Sequence, residues 1–165
     1  MKRLAAALAL TCLPAPLVAQ DTDALVGFQV LKPEIALKAA EAALERCHTD
    51  GFQVGVAVVD RFGVLQVFLR DRYAGPHTVE TAGRKAWTAV SFRTDTLALA
   101  EETAPDKISS AIRNLSQALP LGGGVPIDAA GTLVGGIGVS GAPGPDIDDA
   151  CARAGIAAIE EDISF

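Results

Sequence analysis

Residues 52–70, FQVGVAVVDRFGVLQVFLR, contain two runs rich in β-branched residues joined by a short polar turn. Gly63 ends this turn and can adopt a positive φ, so the segment predicts a β-hairpin. Residues 125–141, VPIDAAGTLVGGIGVSG, repeat the plan with the same turn spacing, namely Asp60, Gly63 and Leu65 in the first segment and Asp128, Gly131 and Leu133 in the second. Two similar hairpins predict a mainly antiparallel sheet of at least four strands.

Helical patterns precede, separate and follow the two hairpins. Proline suits a first helical turn and glycine a helix end, which predicts a first helix over 33–49 and a last one over 145–161. Three further candidates lie between the hairpins, at 78–92, 95–103 and, as a weaker turn, 106–115. Because helices and strand pairs do not alternate as βαβ units, the order predicts an α+β fold with a central antiparallel sheet flanked by helices.

Residues 1–19, MKRLAAALALTCLPAPLVA, have the three parts of a secretory signal: a charged end, an apolar run and a proline-broken cleavage region. The apolar run from Leu4 to Leu13 is shorter than the about 20 residues that cross a bilayer. We therefore expect a cleaved signal peptide, a single domain over 20–165 without a membrane span, and a periplasmic or secreted location.

The charge of the chain argues against nucleic acid as a partner. The net charge is −6, and removal of Lys2 and Arg3 with the signal leaves twelve basic against twenty acidic residues, or −8. An acidic surface repels phosphate backbones.

Two cysteines, Cys47 and Cys151, remain once the signal is removed. An even pair in an exported chain favours a disulfide, which here would join the first predicted helix to the last. The alternative is two buried free thiols that pack as small apolar residues.

The familiar catalytic and metal-binding motifs are not supported by the sequence. Its glycine-rich segments precede a helix that begins with Asp146, Asp148 and Asp149, and carboxylates at a helix N-terminus would oppose a bound phosphate. We expect these aspartates to cap the helix, with metal ligation as the alternative. No serine lies in a G-x-S-x-G elbow, and the cysteines and histidines lack zinc-site spacing.

Residues 70–92, RDRYAGPHTVETAGRKAWTAVSF, gather the only tryptophan, the only tyrosine and one of two histidines. Thr78 is a candidate helix cap, which would place His77 near the positive end of the helix. That position favours a neutral imidazole, the form that binds metals. Each residue has a simpler reading: His77 as a surface histidine, Trp87 as a packing anchor, and Arg84 as the partner of Glu80 one turn away.

Four segments together resemble the GlcG/HbpS group, also called the haem-degrading domain family: AVVDRFGVLQVFLRD, RKAWTAVSFRTDT, GGGVPIDAAGTLVGGIGVSGAPG and DDACARAGIAAI. The likeness runs from about residue 33 to 159. It implies the same α+β fold, homo-oligomers, and haem binding near the K-A-x-T-A helix, which makes Lys85 and Thr88 candidate haem contacts. Two residues are added on physical grounds: His77 as a possible iron ligand, and Arg84, which with Lys85 puts two cations on one helix and would suit a flat ligand that carries carboxylates. The loop LRDRYAGPH departs from the R-M-D-G run of many relatives.

Three functions are open at this point. The leading hypothesis is an exported haem-binding protein with its haem in a crevice beside helix 78–92. A second is an oligomeric accessory or partner-binding module without haem. A third, an enzyme acting on a small organic acid, has no acid and base pair to support it, so enzymatic activity is left undecided.

Overall fold

The computed structural model describes residues 24–164, so that the expected signal peptide at 1–19 lies outside the described residues. In chain order its elements are α1 (Pro33–Thr49), β1 (Gly55–Asp60), β2 (Leu65–Arg70), α2 (Thr78–Phe92), α3 (Thr96–Glu102), a 3-10 helix (Ile108–Asn114), β3 (Gly124–Ala129), β4 (Thr132–Ser140), α4 (Pro145–Ala157) and α5 (Glu160–Ile163). No helix in this range is both long and apolar enough to cross a bilayer.

The four strands form one antiparallel sheet in the order β2-β1-β4-β3. Each hairpin supplies two neighbouring strands, and the two hairpins meet where β1 pairs with β4. In this central pairing Val56 lies opposite Val139 and Val58 opposite Ile137. The predicted α+β fold, with a central antiparallel sheet built from two hairpins, is confirmed.

The two hairpin turns are alike in structure as well as in sequence. Gly63 and Gly131 have φ values of +80° and +77°, which only glycine adopts without strain. In the first turn the Asp60 carboxylate accepts hydrogen bonds from the backbone N–H groups of Phe62 and Val64, at 2.8 and 2.9 Å. Each hairpin also has one irregularity of register close to its turn.

Helices cover both faces of the sheet. α1 and α4 pack together on one face, where Val56 and Val58 of β1 enter the larger core. α2 covers the other face, where Ala57 and Val59 enter a smaller one. This alternation is the period of two expected for a strand that is buried on both faces.

α2 lies unusually close to the sheet because β4 presents glycine to it. A Cβ atom at Gly138 would collide with the Ala82 carbonyl oxygen and lie 2.6 Å from the Ala86 nitrogen. Only glycine therefore allows the helix backbone to rest on the strand backbone. This contact fixes α2 relative to the end of β4, where the candidate site lies.

A disulfide joins Cys47 to Cys151, with a Cα–Cα distance of 5.6 Å and both residues fully buried. It links α1 to α4, as expected from the sequence. The alternative of two free thiols is thereby set aside.

The last helix is shorter than predicted. It ends at Ala157, and a separate short helix, α5, begins at Glu160. Between them the Ile159 N–H donates to the Ile156 carbonyl, an i to i−3 bond that tightens the turn, while the Ile159 side chain is fully buried. The chain thus leaves the α-helical path between Ala157 and Glu160, although the helical pattern is continuous in the sequence.

Candidate functional site

A cleft of about 320 Å³ lies between the N-terminal ends of α2 and α4, and we call it the α2–α4 cleft. From α2 it is lined by residues one helical turn apart, His77, Thr81 and Lys85. The opposite side consists of Ser140 at the end of β4, the glycine- and proline-containing loop at 141–145, and Asp148 of α4. The structure thus brings two of the predicted ligand contacts, His77 and Lys85, to one cavity.

His77 lies at the mouth of this cleft, immediately before the first residue of α2. Its side chain is exposed, and its ring lies against the backbone of Gly75, where a Cβ atom would come within 2.5 Å of Cε1. Glycine at position 75 therefore leaves room for the imidazole. The expected cap from Thr78 is wrong: Thr78 is the first helical residue, and its hydroxyl donates to the Gly75 carbonyl at 2.8 Å.

Two hydroxyl groups line the wall of the cleft beside His77. The Thr81 hydroxyl lies 3.0 Å from the His77 carbonyl oxygen and 2.7 Å from the Ser140 hydroxyl. One hydroxyl proton serves only one of these contacts at a time, so this pair has spare hydrogen-bonding capacity. Neither residue was singled out from the sequence, because a threonine and a serine 59 residues apart carry no local signal.

A buried ion pair forms the floor of the cleft. The Lys85 Nζ donates to Asp148 Oδ2 at 2.7 Å and to the Val139 carbonyl at 2.9 Å, and the two side chains are 1% and 5% exposed. The Asp148 Oδ1 accepts a hydrogen bond from the Ala142 N–H at 3.0 Å. Asp148 thus holds both α2 and the loop at 141–145, rather than capping α4 as expected.

Burial shifts the pKa values of both members of this pair toward their neutral forms. Desolvation lowers the pKa of Lys85 and raises the pKa of Asp148. Their mutual attraction and hydrogen bond act in the opposite direction but do not cancel the effect of burial. In this pair, the attraction between the two charges offsets only part of the free-energy cost of removing them from water.

The remaining predicted contacts, Arg84 and Thr88, hold a neighbouring loop instead of facing the cleft. Arg84 pairs with Glu80 at 3.1 Å, the alternative noted from the sequence, and also donates to the Gln117 and Ala118 carbonyls. Thr88 is fully buried; its hydroxyl donates to the Arg84 carbonyl at 2.6 Å and accepts from the Leu119 N–H at 2.9 Å. Both side chains use their polar groups to tie this loop to α2.

Metal ligation by the aspartates at the start of α4 is also unsupported. Over residues 24–164 no group of three or more histidine, cysteine or acidic side chains is placed to hold a metal ion. Asp149 instead pairs with Arg153 one turn later at 2.7 Å, and Arg153 also reaches Asp95 at 2.6 Å. These carboxylates serve to join α4 to the segment that begins α3.

Known proteins match this chain along most of its length. Residues 31–157 match the family of HbpS-like haem degrading proteins. The crystal structure of a double mutant of HbpS from Streptomyces reticuli is 43% identical to this chain, with a TM-score of 0.79. The match covers 88% of this chain and 98% of the HbpS chain. A haem complex of PduOC is 31% identical, with a TM-score of 0.73 over 79% of this chain and 95% of that protein.

A curated relative is larger than this chain. The corrinoid adenosyltransferase PduO of Salmonella typhimurium is 34% identical over 102 residues, which are 61% of this chain and 30% of that enzyme. The match thus spans less than a third of the enzyme's length. The family match covers α2, β4 and α4, which are the elements that line the α2–α4 cleft. The chain therefore belongs to the family of HbpS-like haem degrading proteins.

Proposed function

We propose that this protein binds haem in the α2–α4 cleft, with the imidazole of His77 as a ligand to the iron. The observation that carries the proposal is an exposed histidine at the mouth of a cavity, in a chain related to a protein solved as a haem complex. Histidine is a common protein ligand of haem iron. The only other histidine within the described residues is His48, in the last turn of α1. Its side chain lies 3.6 Å from the Asp71 carboxylate.

The residues of the cleft fit a haem in their donor chemistry. The exposed ring of His77 lies with Nδ1 on the side of Gly75, and Nε2 is the nitrogen that lies farther from this backbone. When Thr81 donates to Ser140, the Ser140 hydroxyl keeps its own proton, which it would donate to a haem carboxylate. At about 320 Å³ the cleft is near the lower end of ligand-site volumes, so part of the porphyrin would extend beyond its rim.

Lys85 and Asp148 have a supporting role in this proposal. Their pair is enclosed at the floor of the cleft and keeps the loop at 141–145 in place through the Ala142 N–H. Lys85 would thus act on the ligand through the shape of the cavity more than through its own charge, which Asp148 balances. Bound haem supplies an iron centre that takes up electrons or small ligands, and the surroundings of the iron decide which.

Haemin titration of the protein tests the proposal. We expect a saturable Soret band with wild type and binding weakened at least about tenfold in His77→Ala, because the iron loses its ligand. His48→Ala is the matched control and should bind as wild type does, since it removes an exposed histidine that does not line the cleft. No saturable spectrum at micromolar protein, or equal binding by His77→Ala and wild type, would contradict the proposal.

A second candidate function is self-association, with or without haem. Tyr73 and Val79 flank His77 in sequence and are 80% and 51% exposed, so that both side chains are accessible to a partner. We propose that this surface pairs with further copies of the chain. Light scattering should find an assembly in wild type that Tyr73→Asp weakens; a monomer at all accessible concentrations would count against it.

Export is the third element of the proposal. A buried disulfide is typical of proteins that fold in an oxidising compartment, and it accompanies a signal-like N-terminus. We propose that residues 1–19 are removed on export to the periplasm or beyond, which leaves a single domain over 20–165. N-terminal sequencing of the protein recovered from a bacterial envelope fraction should begin at residue 20; an intact N-terminus in the cytoplasm would contradict export.

A further inference from the structure

A second cavity, of about 390 Å³, lies near the C-terminal end of α2, and we call it the aromatic–arginine pocket. It shares no lining residue with the α2–α4 cleft. Its main lining residues are Phe28, Arg61, Phe62, Trp87, Val90 and Arg93. They come from the segment before α1, the turn of the first hairpin, and α2 with the residue that follows it.

Aromatic rings hold one of the two cations in place. The rings of Phe28 and Phe62 meet edge to face, with centroids 5.3 Å apart and planes at 86°. The Arg61 guanidinium lies 4.4 Å from the Phe28 centroid and 5.7 Å from that of Phe62, which are cation–π distances. The guanidinium is thus positioned without the use of its five N–H donors.

Trp87 forms another wall of the pocket and is held by the hairpin turn. A Cβ atom at Gly63 would lie 2.6 Å from Trp87 Cδ1, so the indole rests directly on the backbone of this glycine. The φ of +80° at Gly63 independently requires glycine. One residue therefore both makes the turn and admits the flat wall of the pocket.

The charge of the pocket is opposite to that of the protein. The chain has a net charge of −6, yet among the described residues that line this cavity two are arginines and none is acidic. Over residues 24–164 three arginines have no ion pair or hydrogen bond from the side chain, and two of them, Arg61 and Arg93, are in this pocket. The third, Arg72, is exposed in the loop before α2.

Arg93 also occupies an unfavourable backbone conformation. It follows the last residue of α2 with φ 51° and ψ 43°, a left-handed position at which glycine is usual. The N–H groups of Arg93 and Thr94 both donate to the Ala89 carbonyl. This carbonyl is therefore paired and does not compete with a ligand for the Arg93 guanidinium. Glycine would adopt this backbone conformation at a lower free-energy cost than arginine. The presence of arginine here points to a function of its side chain.

We propose that the aromatic–arginine pocket is a second ligand site, specific for planar aromatic carboxylates. The flat ring would pack against Trp87 and the two phenylalanines, and the carboxylate would accept hydrogen bonds from the unpartnered guanidinium groups. Arginine pairs with carboxylates through two parallel N–H···O bonds, which gives such a site its preference for an acid over a neutral analogue. The site is independent of the haem proposal because it does not use His77 or any other residue of the α2–α4 cleft.

Titration with naphthalene-2-carboxylate tests this inference, with naphthalene-2-carboxamide as the neutral analogue. Trp87 is the only tryptophan of the chain, so quenching of its fluorescence reports on the pocket directly, and equilibrium dialysis gives an independent affinity. We expect saturable binding of the acid and at least about tenfold weaker binding of the amide, because a hydrogen-bonded charge is lost. Arg61→Gln and Arg93→Gln should each weaken binding of the acid about tenfold.

Two controls distinguish this site from others. Arg46→Gln removes the same charge from an arginine that pairs with Asp50 on α1, and should bind the acid as wild type does. His77→Ala should also leave this binding unchanged, so that loss of haem binding and loss of acid binding are separable. Equal affinity for acid and amide, full binding by both pocket variants, or loss of acid binding in His77→Ala would overturn the proposal.

Discussion

Lys85 and Asp148 place two charges inside the protein, where neither is stable alone. Their pair is the most enclosed one between residues 24 and 164, and desolvation shifts both pKa values toward the neutral forms. Removing one partner of such a pair leaves an unpaired buried charge, which is more costly than removing both. The pair therefore stabilises the cleft only as long as both members are present.

Lys85→Met should lower the free energy of unfolding at pH 7 by about 3 to 5 kcal/mol, because it leaves the Asp148 carboxylate buried without a cation. Adding Asp148→Asn should recover part of this loss, since the amide oxygen still accepts from the Ala142 N–H. Urea denaturation of both variants measures the difference. Lys38→Met, which breaks the exposed pair with Asp162, is the control and should cost less than about 1 kcal/mol.

The loss in Lys85→Met should also depend on pH. Without its cation, buried Asp148 has a folded pKa above its ordinary 3.8, so the native state binds more protons than the unfolded state between these two values. The free energy of unfolding of Lys85→Met, compared with that of Lys85→Met/Asp148→Asn, therefore falls as the pH rises between these two pKa values. It recovers as the pH is lowered toward 3.8. A gap between the two variants that stays constant from pH 7 to pH 4 would contradict a buried, ionised Asp148.

The sequence indicates these residues but not their relationship. Lys85 and Asp148 both lie in the segments that carried the family resemblance, yet they are 63 positions apart, and only the tertiary packing of α2 against α4 brings them together. Thr88 and Arg84 show the same limit. Their hydrogen bonds to the loop at 117–119 follow from the course of that loop, which no periodicity predicts.

At the scale of elements, the sequence predicts the bounds of a helix or turn where the residues that start and end it lie in or next to the same segment. The bounds of α1 and α2 agree with prediction, since each segment carries its own apolar stripe and α1 also has Pro33 in its first turn and Gly51 just after its end. The break before α5 carries no local signal, because no proline or glycine lies between Ala157 and Glu160. The same contrast applies to the glycines, some of which shape turns while others admit a neighbouring helix.

Gly138→Ala should destabilise the protein by at least about 1 to 3 kcal/mol, because the added methyl group meets the backbone of α2, which cannot move without disturbing the core. Gly83→Ala is the matched control on α2 itself. A Cβ atom there meets nothing within 4 Å, so the variant should gain about 0.5 to 1 kcal/mol from helix propensity. Thermal and urea denaturation would measure both, and an unchanged Gly138→Ala would refute close packing of α2 on β4.

The disulfide should contribute strongly to stability because it closes a long loop. Cys47 and Cys151 are 104 residues apart, for which loop-closure entropy corresponds to about 4 to 5 kcal/mol. We expect Cys47→Ser/Cys151→Ser to lose about that much in a denaturation experiment without reductant. Intact mass with and without reductant should show the bridge in wild type, and two freely alkylated thiols in the native protein would contradict it.

At the scale of the whole molecule, α2 has a different cavity near each end. The α2–α4 cleft at its N-terminal end presents a histidine and hydroxyl groups, and the aromatic–arginine pocket at its C-terminal end presents rings and guanidinium groups. We propose the first cavity as the haem crevice that is expected beside helix 78–92. The second involves Phe28, Arg61 and Phe62, which lie outside that helix, so sequence reasoning centred on residues 70–92 did not find it.

The location of the iron in a haem complex of this protein tests the central proposal most directly. Anomalous diffraction at the iron edge would locate the metal independently of the porphyrin density. We predict an iron peak at the mouth of the α2–α4 cleft, about 2 Å from a ring nitrogen of His77, as for other metal–imidazole bonds. An iron bound by another residue, or a haem seated in the aromatic–arginine pocket without contact to His77, would contradict it.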